Sequence, residues 1–347
     1  MLNDNESIDF NSLYINYFEQ MTDPRRTNKG NYYYPLNEIL FLVISAVISG
    51  SDGWTSIEVF GKAKLAWLRQ FLPYKNGIPS HDILGKLFAR LSADEFTVCF
   101  TNWINSISDL TEGDVVAIDG KTIRNSNDDT SSKSAIHLVS AYASEHRICL
   151  GQEAIHEKSN EITAIPKLLE ILTIKGCVVT VDAMGCQKKI AEDIIGKEAD
   201  YILMVKDNQK NMKMQIEESF KTQKINEVNT TTDFGHGRIE TRTCEVLDDL
   251  SFLKKRKDWK NMKCIVRITS QRIIKKTQKE SVEQRYYISS LTADAKKANH
   301  AIRSHWGIEN NLHWNLDVIF REDNSLKKKG NSPMNSNIIT KIALTHI

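Results

Sequence analysis

The chain has 347 residues, of which 41% are hydrophobic and 26% are charged, and its formal net charge is +2 at pH 7. This composition is typical of a globular protein with a sizeable core, and the length predicts about two domains. The most apolar run, residues 39–48, is about half as long as a membrane span and follows a polar start without a signal-peptide pattern. We therefore expect a cytoplasmic protein that has no membrane partner.

Cysteine spacing and charge distribution narrow the function classes further. None of the six cysteines forms a Cys-x-x-Cys pair, so the sequence predicts neither a zinc knuckle nor a redox motif. Residues 254–279 contain eleven Lys and Arg but one acidic residue, Asp258. This segment either contacts the phosphate backbone of a nucleic acid or forms a solvated hairpin surface.

Apolar residues three and four positions apart predict an all-helical first domain over residues 1–110. Ser92 and Glu95 have the spacing of a capping box, which marks the start of its last helix. Glycine and proline residues separate the earlier helices. The predicted helices cover residues 36–50, 55–72, 81–91 and 96–107.

Short β-rich runs alternate with helices after residue 113, which predicts an α/β second domain over residues 111–347. The order βββαβαβ predicts a mixed sheet with flanking helices, and near-continuous apolar runs place strands one, four and five at its centre. Residues 225–290, approximately, resemble an inserted β-rich module, and a last helix begins near Asp294 and continues through Trp314. The predicted core strands are residues 115–118, 137–143, 147–155, 177–181 and 201–205, with helices over residues 161–172 and 187–196.

Acidic residues directly follow two of the buried strands. Asp119 follows the first, where Gly120 is expected to let the chain turn, and Asp182 follows the fourth. Carboxylates at the ends of neighbouring strands converge and cannot be buried cheaply alone, so this pair indicates a hard divalent cation. Two such ions activate the attacking oxygen and stabilise the leaving oxygen in phosphoryl displacement. Glu309, on the last helix, is the best third ligand.

Each acidic residue also has a simpler explanation. A single Asp after a strand is more often a turn or capping residue, and a single helical Glu is usually solvated. Glu322 and Asp323 are reserve candidates for the third ligand. His305 and His313 lie four residues on either side of Glu309, but the segment lacks the His-Glu-x-x-His pair, so we predict no dedicated zinc site.

Aromatic residues of the last helix have two explanations as well. Trp306 and Trp314 are interpreted as core anchors in preference to base-stacking platforms.

Six segments occur along the chain in a characteristic order. They are DPRR (23–26), residues 49–91, AIDGKTIR (117–124), EKSNEITAIPKLLE (157–170), TVDAMGCQ (180–187) and HWGIENNLHWNLDVIFRED (305–323). These segments resemble the ISAs1 family of transposases, which includes the H-repeat-associated proteins. The resemblance implies an RNase H-like DDE catalytic domain with a β-rich insertion, preceded by a helical transposase-associated domain. It assigns the metal-binding catalytic triad to Asp119, Asp182 and Glu309, as the residues themselves had indicated.

The resemblance implies a transposase that cuts phosphodiester bonds at insertion-sequence ends and joins the freed 3′-hydroxyl to target DNA. Mg²⁺ is the expected cofactor and Mn²⁺ should substitute for it, because the expected ligands are oxygen atoms. The expected partners are double-stranded DNA, including terminal repeats and target, and further copies of the chain, because two DNA ends are paired. The alternatives are a related metal-dependent nuclease and a DNA-binding remnant, since the chain stops at KIALTHI (341–347), where the family commonly continues.

Polar residues near the predicted strand ends are candidate DNA contacts. Asn160 is more simply explained as the cap of the helix over residues 161–172. Gln209 suits phosphate or sugar contacts, which position DNA without reading its sequence. The predicted DNA-binding residues are Lys121, Arg124, Lys206, Asn208, His236 and Arg238.

Overall fold

Helices form the first part of the chain in the computed structural model, which describes residues 17–25, 33–127, 134–155, 160–235 and 237–346. The second predicted helix is interrupted, because Lys64 leaves the helical conformation with φ −106° and ψ 15°. The break turns the next helical segment so that Leu68 is buried and Trp67 stacks on Phe41. The helices are α1 (Leu36–Ile48), α2 (Trp54–Ala63), α3 (Leu65–Leu68), α4 (His81–Phe88) and α5 (Ala93–Ile107).

The capping box predicted for α5 is half formed. Ser92 Oγ accepts a hydrogen bond from the backbone N–H of Glu95 at 3.2 Å, as expected of an N-cap. The Glu95 carboxylate instead accepts from the backbone N–H of Thr22 at 2.9 Å. The second half of the box is therefore replaced by a contact that ties residues 17–25 to the start of α5.

The predicted βββαβαβ order is confirmed. Strand β1 pairs antiparallel with β2 and parallel with β4, β2 pairs antiparallel with β3, and β4 pairs parallel with β5. This arrangement is the RNase H-like core that the family resemblance implied. Its elements are β1 (Val115–Ile123), β2 (Ile136–Ala143), β3 (Ile148–Ile155), α6 (Glu161–Ile171), β4 (Val178–Val181), α7 (Lys188–Gly196), β5 (Asp200–Val205) and α8 (Lys210–Thr222).

Four more strands extend the same sheet, so that its order is β3-β2-β1-β4-β5-β9-β8-β7-β6. The β-rich stretch predicted near residues 225–290 is joined to the core because β9 pairs antiparallel with β5. The exact limits of an insertion within this continuous sheet stay a prediction. The added strands are β6 (Glu227–Gly235), β7 (Arg238–Leu247), β8 (Cys264–Ile274) and β9 (Lys279–Ser289).

The single last helix expected from the sequence consists of several segments. Helix α9 (Ala295–His305) begins at Asp294, whose side chain accepts from the backbone N–H of Lys297. A π-helical segment (Ile308–His313) follows and leads into α10 (Trp314–Val318). π-Helical turns are rare and occur frequently at functional sites. The chain then forms α11 (Ser332–Thr345).

Helix α11 joins the first helices to the sheet. It packs against α1, α4, α5 and β3. Asn335 is fully buried, and its Nδ2 donates to the carbonyl oxygens of Phe88, the last residue of α4, at 2.8 Å and of Leu91 at 3.1 Å. The hydrophobic core runs without interruption from the first helices into the sheet. The division at residue 110 stays a prediction, and the segments on its two sides share one core.

Two expectations from the sequence concern membrane-spanning helices and cysteines. No described helix is both long enough and apolar enough to cross a membrane. All six cysteines are free and buried. Burial raises the pKa of Cys244 and of Cys264 to about 12, which keeps both thiols protonated at neutral pH.

We expect Asn335→Ala to lower the free energy of unfolding by about 1–3 kcal/mol, because it removes two buried hydrogen bonds, although the Leu91 carbonyl oxygen keeps a second donor, Asn331 Nδ2. Urea denaturation of the full chain measures this change. Ser336→Ala is the matched control on the same helix, since the Ser336 hydroxyl is buried and has no hydrogen-bond partner among the described residues. Equal destabilisation by the two variants would contradict the role assigned to Asn335.

Candidate metal centre

The parallel pairing of β1 and β4 places two acidic residues side by side. Ile118 pairs with Val181, so the next residues, Asp119 and Asp182, are lateral neighbours on adjacent central strands. The expectation that the chain turns at Gly120 is wrong, because β1 continues to Ile123 and remains paired with β2. Asp119 therefore lies within a strand that is paired with β2 at this residue and with β4 up to the preceding residue, Ile118.

Gly120 serves a different purpose, which is to leave room for two polar side chains. A Cβ atom at this position would lie 2.1 Å from Glu161 Oε1 and 2.6 Å from His137 Nε2. Glu161 Oε1 and His137 Nε2 are 2.8 Å apart and form a hydrogen-bonded pair. A third carboxylate thus approaches the backbone beside Asp119, and sequence reasoning missed it. The glycine directly after Asp119 was the one signal that the sequence offered.

Asp182 begins a tight loop after β4. Its Oδ1 accepts from the backbone N–H groups of Met184 at 3.0 Å and Gly185 at 3.2 Å. A Cβ atom on Gly185 would lie 2.2 Å from Val181 Cγ1, so only glycine fits this loop without rearrangement. The local backbone therefore fixes the direction in which the Asp182 carboxylate leaves the sheet.

Two amide side chains hold the same loop from the other side. Asn208 Nδ2 donates to the carbonyl oxygen of Ala183, and Gln209 Nε2 donates to the carbonyl oxygen of Cys186 at 3.0 Å. Both residues were predicted to contact DNA from the sequence. The structure gives them a positioning role toward the loop of Asp182, and contact of Asn208 with DNA stays a prediction.

The π-helical segment brings Glu309 and His313 to Asp119. His313 Nδ1 lies 3.0 Å from Glu309 Oε2 and 3.8 Å from Asp119 Oδ2. One ligand atom from each of these three residues lies within 4.8 Å of the other two. His313 is 5% exposed at its side chain, whereas Glu309 is 57% exposed, so the cluster opens to solvent on the Glu309 side. Asp182 lies beside this group and outside it.

Other candidates from the last helices are engaged elsewhere. His305 Nδ1 is 3.0 Å from Thr180 Oγ1. His305, Glu309 and His313, which are spaced four residues apart, therefore do not form one ligand set. The reserve ligand Glu322 is buried and bonds Lys121 and Asn337, while Asp323 accepts from the backbone N–H of Arg124. Glu309 is thus the carboxylate of this region that reaches Asp119.

Electrostatic repulsion is concentrated on Asp119. Burial, followed by the nearby carboxylates of Asp182, Glu161 and Glu309, raises the pKa of Asp119 to about 7. Burial also lowers the pKa of His313 and lowers that of His305 to about 4. The neutral imidazole of His313 therefore lies beside a carboxylate that is difficult to ionise.

The donor set fits a divalent cation. Ligand oxygens about 2.1 Å from a Mg²⁺ ion are at most about 4.2 Å apart, close to the 4.8 Å within which the atoms of Asp119, Glu309 and His313 lie. A cation also relieves the repulsion that raises the pKa of Asp119. The residues therefore match the divalent ion on which the chemistry of carboxylate-rich phosphoryl-transfer sites depends.

Several of the predicted DNA contacts have exposed or partly exposed side chains. Lys121 is the exception, because its Nζ lies 2.7 Å from Asp317 Oδ1 and 2.9 Å from Glu322 Oε2. Arg124 is 84% exposed at its side chain, and Lys206 is also exposed. Arg238 Nε lies 3.8 Å from Glu240, and its side chain is partly exposed. His236 lies outside the described residues, as do residues 157–159 of the EKSNEIT motif.

Exposed tryptophans flank the catalytic candidate Glu309 along the chain. Trp306 is 39% exposed and Trp314 is 54% exposed, so their interpretation as core anchors is wrong. The guanidinium of Arg285 lies over the Trp306 ring, 5.3 Å from its centroid. Asn160, in contrast, caps α6 as interpreted, since its side chain accepts from the backbone N–H of Thr163.

Two family models match the chain. The model described as DDE_Tnp_1-associated matches residues 15–104, and the model described as Transposase DDE domain matches residues 110–345. The chain belongs to the DDE transposase family. It is therefore an enzyme of the transposase class, and the family resemblance found in its sequence motifs is confirmed.

Named relatives support this assignment over most of the chain. The protein named "Putative transposase YncI" of Escherichia coli O157:H7 is 41% identical over 337 residues, which are 95% of this chain and 86% of that protein. The "H repeat-associated putative transposase YhhI" of Escherichia coli K12 is 42% identical, over 86% of this chain and 80% of that protein. A solved piggyBac transposase synaptic complex with hairpin DNA aligns with a TM-score of 0.45 at 11% identity, over 96% of this chain and 70% of that chain.

We expect Asp119→Asn to stabilise the metal-free protein at pH 8 by about 2 kcal/mol, because it removes a carboxylate that is buried and held near like charges. The folded protein has a pKa of about 7 at Asp119, whereas the unfolded chain has a pKa of about 3.9, so the folded state binds more protons between these values. The stability of the wild type therefore falls as pH rises from about 4 to about 7. Below pH 4 the difference between variant and wild type should disappear.

Urea denaturation in EDTA across this pH range measures the effect. Asp109→Asn, at an exposed position away from the cluster, is the control and should change little. Added Mg²⁺ should stabilise the wild type and not Asp119→Asn. A difference between Asp119→Asn and wild type that does not vary with pH would contradict the repulsion described here.

Proposed function

We propose that this transposase cuts phosphodiester bonds at the ends of a mobile DNA element and joins the freed 3′-hydroxyl to target DNA. Asp119, Asp182 and Glu309 are the proposed metal ligands. The observation that carries the proposal is that carboxylates from β1 and from the π-helical segment meet in one partly buried cluster, with the carboxylate of the loop after β4 beside it. Ionised carboxylates crowded in this way need a cation, which phosphoryl-transfer enzymes use in catalysis.

Mg²⁺ is the proposed cofactor, with Mn²⁺ as a substitute. When bound, divalent ions supply activation of the attacking oxygen and neutralisation of charge at the phosphate. The chain's own residues provide a rigid frame, because Asp119 lies within a doubly paired strand and Asn208 and Gln209 fasten the loop of Asp182. Because these residues already hold the carboxylates in position, little free energy is spent on rearranging them during the reaction.

Double-stranded DNA is the proposed partner, as the family implies. Within the basic segment, residues 254–279, the side chains of residues 254–257 are exposed. Among the described residues, none of these four side chains forms an ion pair with a carboxylate. This cluster favours phosphate contact over a purely solvated hairpin. Exposed Trp306 and Trp314 offer ring faces on which unpaired bases can stack. The predicted contacts are kept as part of the proposal: Lys121, Arg124, Lys206, Asn208, His236 and Arg238.

Assembly on DNA follows from the reaction. Joining two element ends to one target requires two active sites to be brought together, so we propose that the enzyme acts as a homo-oligomer on DNA. We also propose a cytoplasmic location for the enzyme, because its proposed partner is DNA.

The proposal predicts that Asp119→Asn, Asp182→Asn and Glu309→Gln each reduce DNA cleavage by at least about a hundredfold, because each removes a charge that the transition state requires. The assay uses a labelled duplex that carries the end of the flanking element, in Mg²⁺ or Mn²⁺, together with a supercoiled target plasmid. Cleavage products and joined products are scored separately.

Two controls make the result interpretable. Asp109→Asn should cleave like the wild type, and the three site variants should retain DNA binding and a cooperative unfolding transition. Normal cleavage by any of the three variants would remove that residue from the site. Cleavage by the wild type without joining would favour a nuclease, and binding without cleavage would favour a DNA-binding remnant.

A further inference from the structure

We propose that His313 is a direct metal ligand through Nδ1, so that this site combines carboxylate oxygens with one imidazole nitrogen. The inference rests on the proposed metal-dependent function and adds a ligand and a metal preference to it. The consequence is a site that binds Mn²⁺ and Co²⁺ more tightly than Mg²⁺, with His313 as the residue that sets the difference.

The geometry of the cluster is the first support. His313 Nδ1 faces both carboxylates, at 3.0 Å from Glu309 Oε2 and 3.8 Å from Asp119 Oδ2. Donor atoms on one ion are separated by similar distances, since each lies about 2.1 Å from it. The imidazole is therefore in the ligand shell of any ion that Asp119 and Glu309 share, and a bound ion would replace the hydrogen bond between His313 and Glu309.

The burial of His313 is an independent support. Its side chain is 5% exposed, and its Nε2 atom is buried with no hydrogen-bond partner among the described residues. Burying an imidazole with an unpaired Nε2 costs free energy that a leucine or methionine at this position would avoid. A favourable interaction at Nδ1, the ring nitrogen that faces Glu309 and Asp119, is needed to offset that cost, and a metal bond at Nδ1 would supply it.

The local helix geometry explains how both residues reach Asp119. Glu309 and His313 are four residues apart within the π-helical segment, which packs on β1 and β2. Their side chains project from one side of this wider turn, toward the strand that carries Asp119. The other histidine of the region, His305, has its Nδ1 beside Thr180 Oγ1 and does not join the group.

The nitrogen ligand predicts the metal preference. Mg²⁺ favours all-oxygen ligands, whereas imidazole ligands raise affinity for first-row transition ions in the order Mn²⁺, Fe²⁺, Co²⁺. His313→Asn tests this, because asparagine retains a short polar side chain able to hydrogen bond with Glu309 but provides no imidazole nitrogen. A role limited to orienting Glu309 would survive this substitution, and a ligand role would not.

The experiment loads the full chain with Mn²⁺ and records electron spin echo envelope modulation, with and without ¹⁵N-labelled histidine. The wild type should show strong coupling to a directly bound nitrogen that changes with the label. The coupling should be lost in His313→Asn and retained in His305→Asn. Calorimetric titration with MnCl₂, CoCl₂ and MgCl₂ should show Mn²⁺ and Co²⁺ affinity falling about tenfold or more in His313→Asn, with a smaller change for Mg²⁺.

The outcomes test two claims, which are the ligand role of His313 and the proposed metal-dependent function. Tight Mn²⁺ binding without nitrogen coupling in the wild type overturns the role of His313 and leaves the proposed function standing. Coupling that is lost in His305→Asn and retained in His313→Asn would show that His305 is the nitrogen ligand. This result would also overturn the role of His313. Failure of the wild type to bind Mn²⁺, Co²⁺ or Mg²⁺ removes the metal site and the proposed function together. The spectrum of the labelled wild type decides the presence of a nitrogen ligand even if His313→Asn does not fold, and His313→Gln is the second variant.

Discussion

The burial of a carboxylate among other carboxylates is the constraint on which the rest of this structure depends. Asp119 is held beside Asp182, because β1 pairs with β2 at Asp119 and with β4 up to Ile118. Burial first, and the nearby carboxylates second, raise the pKa of Asp119 to about 7, so its ionised form is costly in the folded protein. A fold of ordinary stability tolerates such a cost only where it serves a function. The large core that joins the first helices, α11 and the sheet supplies the stability that holds the acidic cluster together.

The core could be predicted from the sequence because its signals are local. Runs such as residues 115–118 and 177–181 are apolar throughout, and an acidic residue directly after each one is visible without a structure. The β-rich stretch near residues 225–290 was recognised from similar patterns, but its pairing with β5 was not, because strand pairing across the sheet depends on partners distant in the chain. The break at Lys64 has no proline or glycine at that residue or directly beside it, so the local sequence does not predict it. It depends on how α2 and α3 pack.

Parts of the site escaped prediction for the same reason. Glu161 and His137 lie on different elements and meet above Gly120 only in the folded chain. Asn208 and Gln209 looked like surface residues, although their amides bond carbonyl groups of the loop after β4. The π-helical segment changes which residues of the last helices face the sheet, so that His313 joins Asp119 and Glu309 whereas His305 does not. A regular helical periodicity, as assumed from spacing alone, does not distinguish these two histidines.

Strand pairing is continuous from β4 to β6, so the number of strands sets the distance of each outer strand from the acidic cluster. Neighbouring strands are about 4.8 Å apart, so β8 lies roughly 14 Å and β6 roughly 24 Å from the strand that precedes Asp182. Base pairs are spaced about 3.4 Å along a duplex. A duplex lying across the strands, with its cut bond at the acidic cluster, would place about four to seven base pairs between that bond and the outer strands. The width of the sheet would thereby set how far from the cut the protein holds the DNA.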